Sequence, residues 1–204
     1  MGKIIKVDFP QKNKKTKKIL PDVYQLKIIL LGTDPVVWRR VQVPGTFSLA
    51  KLHDVLQLSM GWTDSHMHQF IIGKDYYGHP AEEDDWGDRK VFDERKTKLS
   101  DLKAKIKKNF IYEYDFGDSW QHEIKVEKVI AATETILKHP ILLAGERACP
   151  PEDVGGIPGY EEFLAALKNP EDEANAELIE WYGEKYDPDH IAMEAINKLL
   201  KKLR

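Results

Sequence analysis

Three short stretches of the chain gather side chains that do chemistry. YDFGDSWQH, residues 114–122, holds Asp115, Asp118 and His122; DSHMH holds His66 and His68; ACPPED holds Cys149, Glu152 and Asp153. Asp, His and Cys are transition-metal ligand types, and a His/Asp mixture suits zinc, manganese or iron. If the stretches converge, His66, His68, Asp118, His122 and Cys149 are candidate ligands for a divalent metal. Arg39, Asp115, Asp118, His122, Glu152 and Asp153 are candidates for lining a ligand cleft. No strong local signature supports the metal: the chain has no CxxC pair and no HExxH. A plain turn accounts for YDFGDSWQH equally well, with Gly117 at positive φ and Asp118 as a favoured turn residue. DFG is not the kinase motif, since neither GxGxxG nor an HRD loop precedes it. A Cys149 nucleophile would need a histidine base nearby, and no local pattern supplies one.

The elements that must position these residues follow from periodicity. DVYQLKIILLG and VVWRRVQVP are β-rich and flank the turn Gly32-Thr33-Asp34-Pro35. Neighbouring strand residues face opposite ways, so one of Arg39 and Arg40 meets solvent. The other lies on the apolar face and calls for a carboxylate or an anion. Ser48 reads as an N-cap; Leu49, Leu52, Val55, Leu56 and Met60 form a helical stripe that Gly61 ends, with His53 packed beside it. His66 and His68, at strand spacing, should share a face. Residues 80–95 form a long polar loop carrying Trp86, exposed and able to stack on a base or ring. Ser100-Asp101 opens a short helix. FIYEYDF and SWQHEIKVEKVI alternate with period two around Gly117-Asp118 and predict a β-hairpin, with Asp115 on its exposed side.

Residues 148–160, with three prolines and three glycines in ACPPEDVGGIPGY, make an irregular loop. Helices should follow at GYEEFLAALKN, at PEDEANAELIEWYG with Pro170 at its first position, and at PDHIAMEAINKLLKKLR capped by Asp187-Pro188. The expected fold is α+β and roll-like: a largely antiparallel sheet, one early helix, and a C-terminal helical cluster from about residue 159. Residues 1–18 read as a basic, mobile segment and 19–204 as a single domain.

Composition narrows the function. A formal net charge of −3 argues against a polyanion binder by bulk charge. The lysine-rich run QKNKKTKK, residues 11–18, is either a solvated tail or a weak, salt-sensitive phosphate contact. One cysteine precludes an internal disulfide, and no apolar run is long enough to span a bilayer. A signal-peptide core is missing from the N-terminus, so the expectation is a soluble cytoplasmic protein without a membrane partner. Three function classes remain: a non-catalytic binding module for an acidic ligand, nucleic acid or peptide; a metal-dependent hydrolase or nuclease; and an accessory protein acting through protein contacts.

VWRRVQVP, SLAKLHDVLQLSMGW, HMHQF, YEYDFGDSWQHEIKVEK and ACPPEDVGGIPGYEEFLAAL, taken in that order, resemble one family. It is the plasmid Ri ORF-three-like family, also labelled insertion-element passenger proteins of TnpR type, and the resemblance spans roughly residues 20–200. It implies an α+β roll and a nucleic-acid or protein partner belonging to a mobile element, and it carries no activity with it. A serine resolvase would need a nucleophilic serine among arginines near the N-terminus and a C-terminal helix-turn-helix. Neither is legible here, so recombinase chemistry is not expected.

Overall fold

The computed structural model describes residues 21–79, 89–106, 108–131, 137–182 and 186–203. The basic run at 11–18 and Trp86 lie outside the described residues. Strands β1 (Val23–Leu30) and β2 (Trp38–Pro44) pair antiparallel around the predicted turn, with Arg39 opposite Ile28 and Arg40 opposite Lys27. β3 (His68–Ile72) and β4 (Asp75–Gly78) form a second antiparallel pair, and β5 (Val91–Asp93) joins β4 in parallel. β6 (Asn109–Tyr114) and β7 (Trp120–Ile130) are the predicted hairpin, and β8 (Ile141–Glu146) lies at the other edge. The eight strands run β5-β4-β3-β6-β7-β1-β2-β8, antiparallel except at β4–β5. The fold class is α+β, as the sequence implied.

One face of this sheet is covered. Helix α1 (Leu49–Met60) starts where Ser48 accepts from the Lys51 amide and stops at Gly61 (φ 104°). Its stripe of Leu49, Leu52, Val55 and Leu56 is fully buried against Leu26, Ile28, Leu30 and Val41 of the sheet. Burying each such side chain contributes roughly 1.5–3 kcal/mol, which is why this helix is fixed in place. Helices α2 (Gly156–Lys168), α3 (Glu173–Tyr182) and α4 (Met193–Leu200) close the chain. Edge strand β8 is shielded by α4: Asn197 Oδ1 accepts from the Leu142 amide and Asn197 Nδ2 donates to its carbonyl. No helix among the described residues is long and apolar enough to cross a membrane.

Several local expectations need correction. The residues after Leu99 make only a 3₁₀ turn, Leu99–Leu102. The last helix starts at Met193, because Asp187 to His190 fold into a separate turn held by His190 N to Asp187 O. In the hairpin, the left-handed residues are Asp115 (φ 56°) and Ser119 (φ 54°), not Gly117. Asp115 is buried rather than exposed: its Oδ1 turns inward to accept from the amides of Gly117 (2.9 Å) and Asp118 (3.4 Å). That bonding lets an aspartate hold a conformation usually reserved for glycine.

Candidate metal centre and cleft

The Pro/Gly loop that follows β8 is clamped from four sides. Trp62, just past α1, donates from Nε1 to the Pro150 carbonyl (3.0 Å). Glu152 Oε1 accepts from the Thr63 amide (2.8 Å) and from the Tyr114 hydroxyl (3.1 Å). Asp118 Oδ2 accepts from the Gly155 amide (3.1 Å), and Tyr186 donates to the Cys149 carbonyl (3.0 Å). The loop then turns into α2 through Gly155 (φ 92°) and Gly156 (φ 68°). At Gly159 a Cβ would lie 1.8 Å from the Val154 carbonyl oxygen, so only glycine lets the helix close onto the loop.

This clamping delivers three carboxylates to one imidazole. His66 Nε2 lies 2.9 Å from Asp153 Oδ1, 3.7 Å from Asp115 Oδ2 and 3.9 Å from Glu152 Oε2. The nitrogen is closed off from solvent, yet it makes no aligned hydrogen bond with any described residue. Ligand atoms about 2.1 Å from one ion stand ~3.0 Å apart when cis and ~4.2 Å apart when trans. The His66 distances fall in that span or at its lower edge, and the ligand atoms of His66, Asp115 and Asp153 all lie within 4.8 Å of one another. One imidazole with two or three carboxylates suits manganese, iron or zinc.

His68 belongs to a different cluster. His66 precedes β3 and packs edge-on to Tyr114, while His68 opens the strand beside Tyr112. The His68 ring stacks on His53 with centroids 3.5 Å apart and planes 9° apart. His53 Nε2 meets Asp64 Oδ1 (2.8 Å), His53 Nδ1 meets the Tyr112 hydroxyl (2.8 Å), and His68 Nε2 meets the buried Glu94 (2.8 Å). Gln57 donates to the same Tyr112 oxygen (3.0 Å), so the hydroxyl hydrogen points to His53 Nδ1 and Nε2–H points to Asp64. Burial and the neighbouring His68 push His53 down to about 4. His53, Asp64 and His68 offer metal-ligand atoms at suitable spacing. Stacked parallel imidazoles, however, aim their lone pairs alongside one another rather than at one point, and the Nε2 atoms of both rings already have protein partners. In this set His53 Nδ1, His53 Nε2 and His68 Nε2 have protein hydrogen-bond partners, whereas His66 Nε2 has no aligned one among the described residues.

The remaining predicted residues are dispersed. His122 is wholly buried beneath Trp62, with Nδ1 against the Tyr112 carbonyl (3.3 Å), and burial holds it down at about 4. It does not reach His66, because residues of one strand parity point into the core with Trp120. Asp118 is a tether for Gly155. Cys149 lines a cleft on the other side of the loop, where burial pushes its thiol up and away from the thiolate form a ligand or nucleophile needs. The five-residue metal set of His66, His68, Asp118, His122 and Cys149 is therefore not assembled; of it, only His66 joins the carboxylate cluster. Asp64, Glu94, Gln57 and Tyr112 escaped the sequence reading, since their partners come from elements far apart in the chain.

The cleft measures about 670 Å³ and lies between the 148–153 loop and a wall that runs from Trp181 and Tyr182 to Tyr186, Ile191 and Ile196. Arg39 and Trp62 line it together with Cys149, and Glu152 and Asp153 link it to the His66 cluster. Arg39 is the inward arginine; Arg40 points outward and pairs with Glu127 through Nε (2.7 Å) and Nη2 (2.8 Å).

Fold and site together define an α+β protein whose hairpin end and Pro/Gly loop enclose a His–carboxylate cluster beside a cleft. The chain belongs to the plasmid pRiA4b ORF-3-like protein family, whose model matches residues 22–195. It is 42% identical over 186 residues to the uncharacterized protein y4hQ of Sinorhizobium fredii, covering 91% of this chain and 94% of that one. It is also similar to the crystal structure of a protein of unknown function, MM3350 from Methanosarcina mazei Go1. That likeness has 36% identity and a TM-score of 0.76, covering 87% of this chain and 98% of the other.

Proposed function

We propose that this protein binds a divalent cation at His66, Asp115 and Asp153, with Glu152 as a fourth donor, and uses it at the mouth of the cleft. One observation carries the reading: a solvent-inaccessible imidazole nitrogen has three carboxylate oxygens within 3.9 Å and no aligned hydrogen bond. Three carboxylates brought this close repel one another unless a cation offsets them. A bound ion with open positions would act as a Lewis acid toward a ligand oxygen, so hydrolysis is the reaction class to assay after binding is measured.

The test is calorimetric titration of the full chain with manganese and with zinc. Saturable, equimolar binding is expected. His66→Gln and Asp115→Asn should each weaken it by about 10-fold or more, while His68→Gln leaves it within a few-fold. Failure of both metals to bind saturably, or undiminished affinity in a folded His66→Gln/Asp115→Asn double variant, would overturn the reading.

A further inference from the structure

The floor of the cleft holds a cation with no counter-charge. Arg39 is 1% exposed. Its Nε donates to the Ser59 carbonyl (2.8 Å), and its Nη1 donates to the carbonyls of Trp38 (2.8 Å) and Glu146 (3.1 Å). These three bonds use three of the five guanidinium hydrogens. Nη2 has no acceptor among the described residues, and no carboxylate among them pairs with Arg39. The contrast with its neighbour is direct, since Arg40, at the surface, has a bidentate carboxylate. Taking a guanidinium out of water without an opposing charge is unfavourable, and carbonyl dipoles offset only part of that.

The surroundings keep the charge uncompensated. The Cys149 thiol and the hydroxyls of Tyr160 and Tyr186 are all pushed up by burial, so they stay neutral beside it. The backbone is shaped to admit the arginine. A Cβ at Gly145 would stand 2.9 Å from Arg39 Cδ and 2.9 Å from the Trp38 carbonyl oxygen. The cleft that reaches Arg39 is walled by Trp62, Trp181, Tyr182 and Tyr186.

We infer that the cleft is a binding site for a small ligand with an anionic head, a carboxylate or a phosphate, seated on Arg39 Nη2, and an aromatic or apolar body lying against Trp181 and Tyr186. Either oxyanion can accept from the two free Nη2 hydrogens, and a buried charge-assisted hydrogen bond is worth more than a surface one. The site goes beyond the cation reading and does not depend on it, because Arg39 is not one of the cation's donors.

The test uses the full chain in EDTA, so that a missing cation cannot mask or mimic the result. Phenyl phosphate, benzoate and inorganic phosphate are titrated with tryptophan fluorescence and calorimetry as readouts, and benzyl alcohol serves as the neutral control. At least one aromatic anion should bind saturably and more tightly than benzyl alcohol. Arg39→Lys keeps the charge and loses the free Nη2 donor, and should weaken that binding about tenfold. Ala192→Phe, which adds bulk at an exposed residue lining the cleft that is not among the guanidinium's hydrogen-bond partners, should weaken it too and keeps the test valid if Arg39→Lys fails to fold. The inference is overturned if neither aromatic anion binds saturably, if the folded variants bind with wild-type affinity, or if only inorganic phosphate binds and does so equally in all three proteins.

Discussion

The Tyr114 hydroxyl joins the end of β6 to the Pro/Gly loop by donating to Glu152, 3.1 Å from Oε1, while accepting from the Ser65 amide at 3.0 Å. Ser65 stands next to His66 and Glu152 next to Asp153, so one phenol sets the spacing of both sides of the cation cluster. Burial and the Glu152 charge push Tyr114 up, which keeps it a donor at all ordinary pH. Tyr114→Phe should therefore cost about 1–3 kcal/mol of stability, because it leaves the Ser65 amide without its acceptor and removes one of the donors to Glu152. It should also weaken manganese binding although Tyr114 is not a ligand. Urea unfolding and metal titration on the same sample check both parts; wild-type affinity in the variant would show that the phenol does not position the cluster.

Asp115 and Asp118 stand three residues apart in one hairpin and have separable roles. Asp115 faces His66, while Asp118 holds the Gly155 amide. Asp118→Ala should lower stability by about 1 kcal/mol and leave cation affinity unchanged, whereas Asp115→Asn should do the reverse. Equal loss of metal in both variants would mean that the hairpin end acts as one unit.

Much of this architecture was legible in the sequence because it rests on local rules. The Ser48 cap, the α1 stripe, the Gly61 stop and the β6–β7 alternation are each set by residues within one or two turns or strands. β4, β5 and β8 were not read as strands, since three to six residues give too few alternations, and edge strands lean on partners distant in the chain. The site was half legible. Arg39, Asp115, Glu152 and Asp153 are at the cleft or the cluster, but His66 and His68 join different clusters, because their partners, Asp153 for one and His53 and Glu94 for the other, come from elements that strand spacing does not reveal. Asp115 looked exposed by alternation. Its left-handed backbone breaks that alternation, and an Asx turn of this kind leaves no periodic trace.

Gly159 sets a steric limit on the loop. With 1.8 Å between its missing Cβ and the Val154 carbonyl, even alanine must push α2 off the 148–155 loop. Gly159→Ala should cost about 3 kcal/mol or more and lower the yield of folded protein. Thermal denaturation monitored by circular dichroism measures it. An unchanged midpoint would mean that the loop and helix can part at little cost, and the cluster geometry would then need revision.

The two buried histidines make stability depend on pH in a defined window. His122 and His53 are held down at about 4 from an ordinary value of 6.5, in both cases chiefly by burial. Between those values the unfolded chain takes up protons that the folded chain refuses, so stability must fall as pH drops from 6.5 toward 4 and must be level above 6.5 as far as these groups are concerned. For His122 alone the loss is on the order of 3 kcal/mol across the window. Glu127, held at about 2 chiefly by its hydrogen bond to Arg40, adds its own loss only below the ordinary carboxylate value of 4.5. Urea midpoints taken at intervals from pH 7 to pH 5 in the presence of EDTA isolate the histidines from both the carboxylates and any bound cation. His122→Gln, which cannot titrate, should flatten the curve in that range while lowering stability at pH 7. If wild type and His122→Gln lose stability in parallel between pH 7 and pH 5, then His122 is protonated in the folded state, and its burial beneath Trp62 cannot be as described.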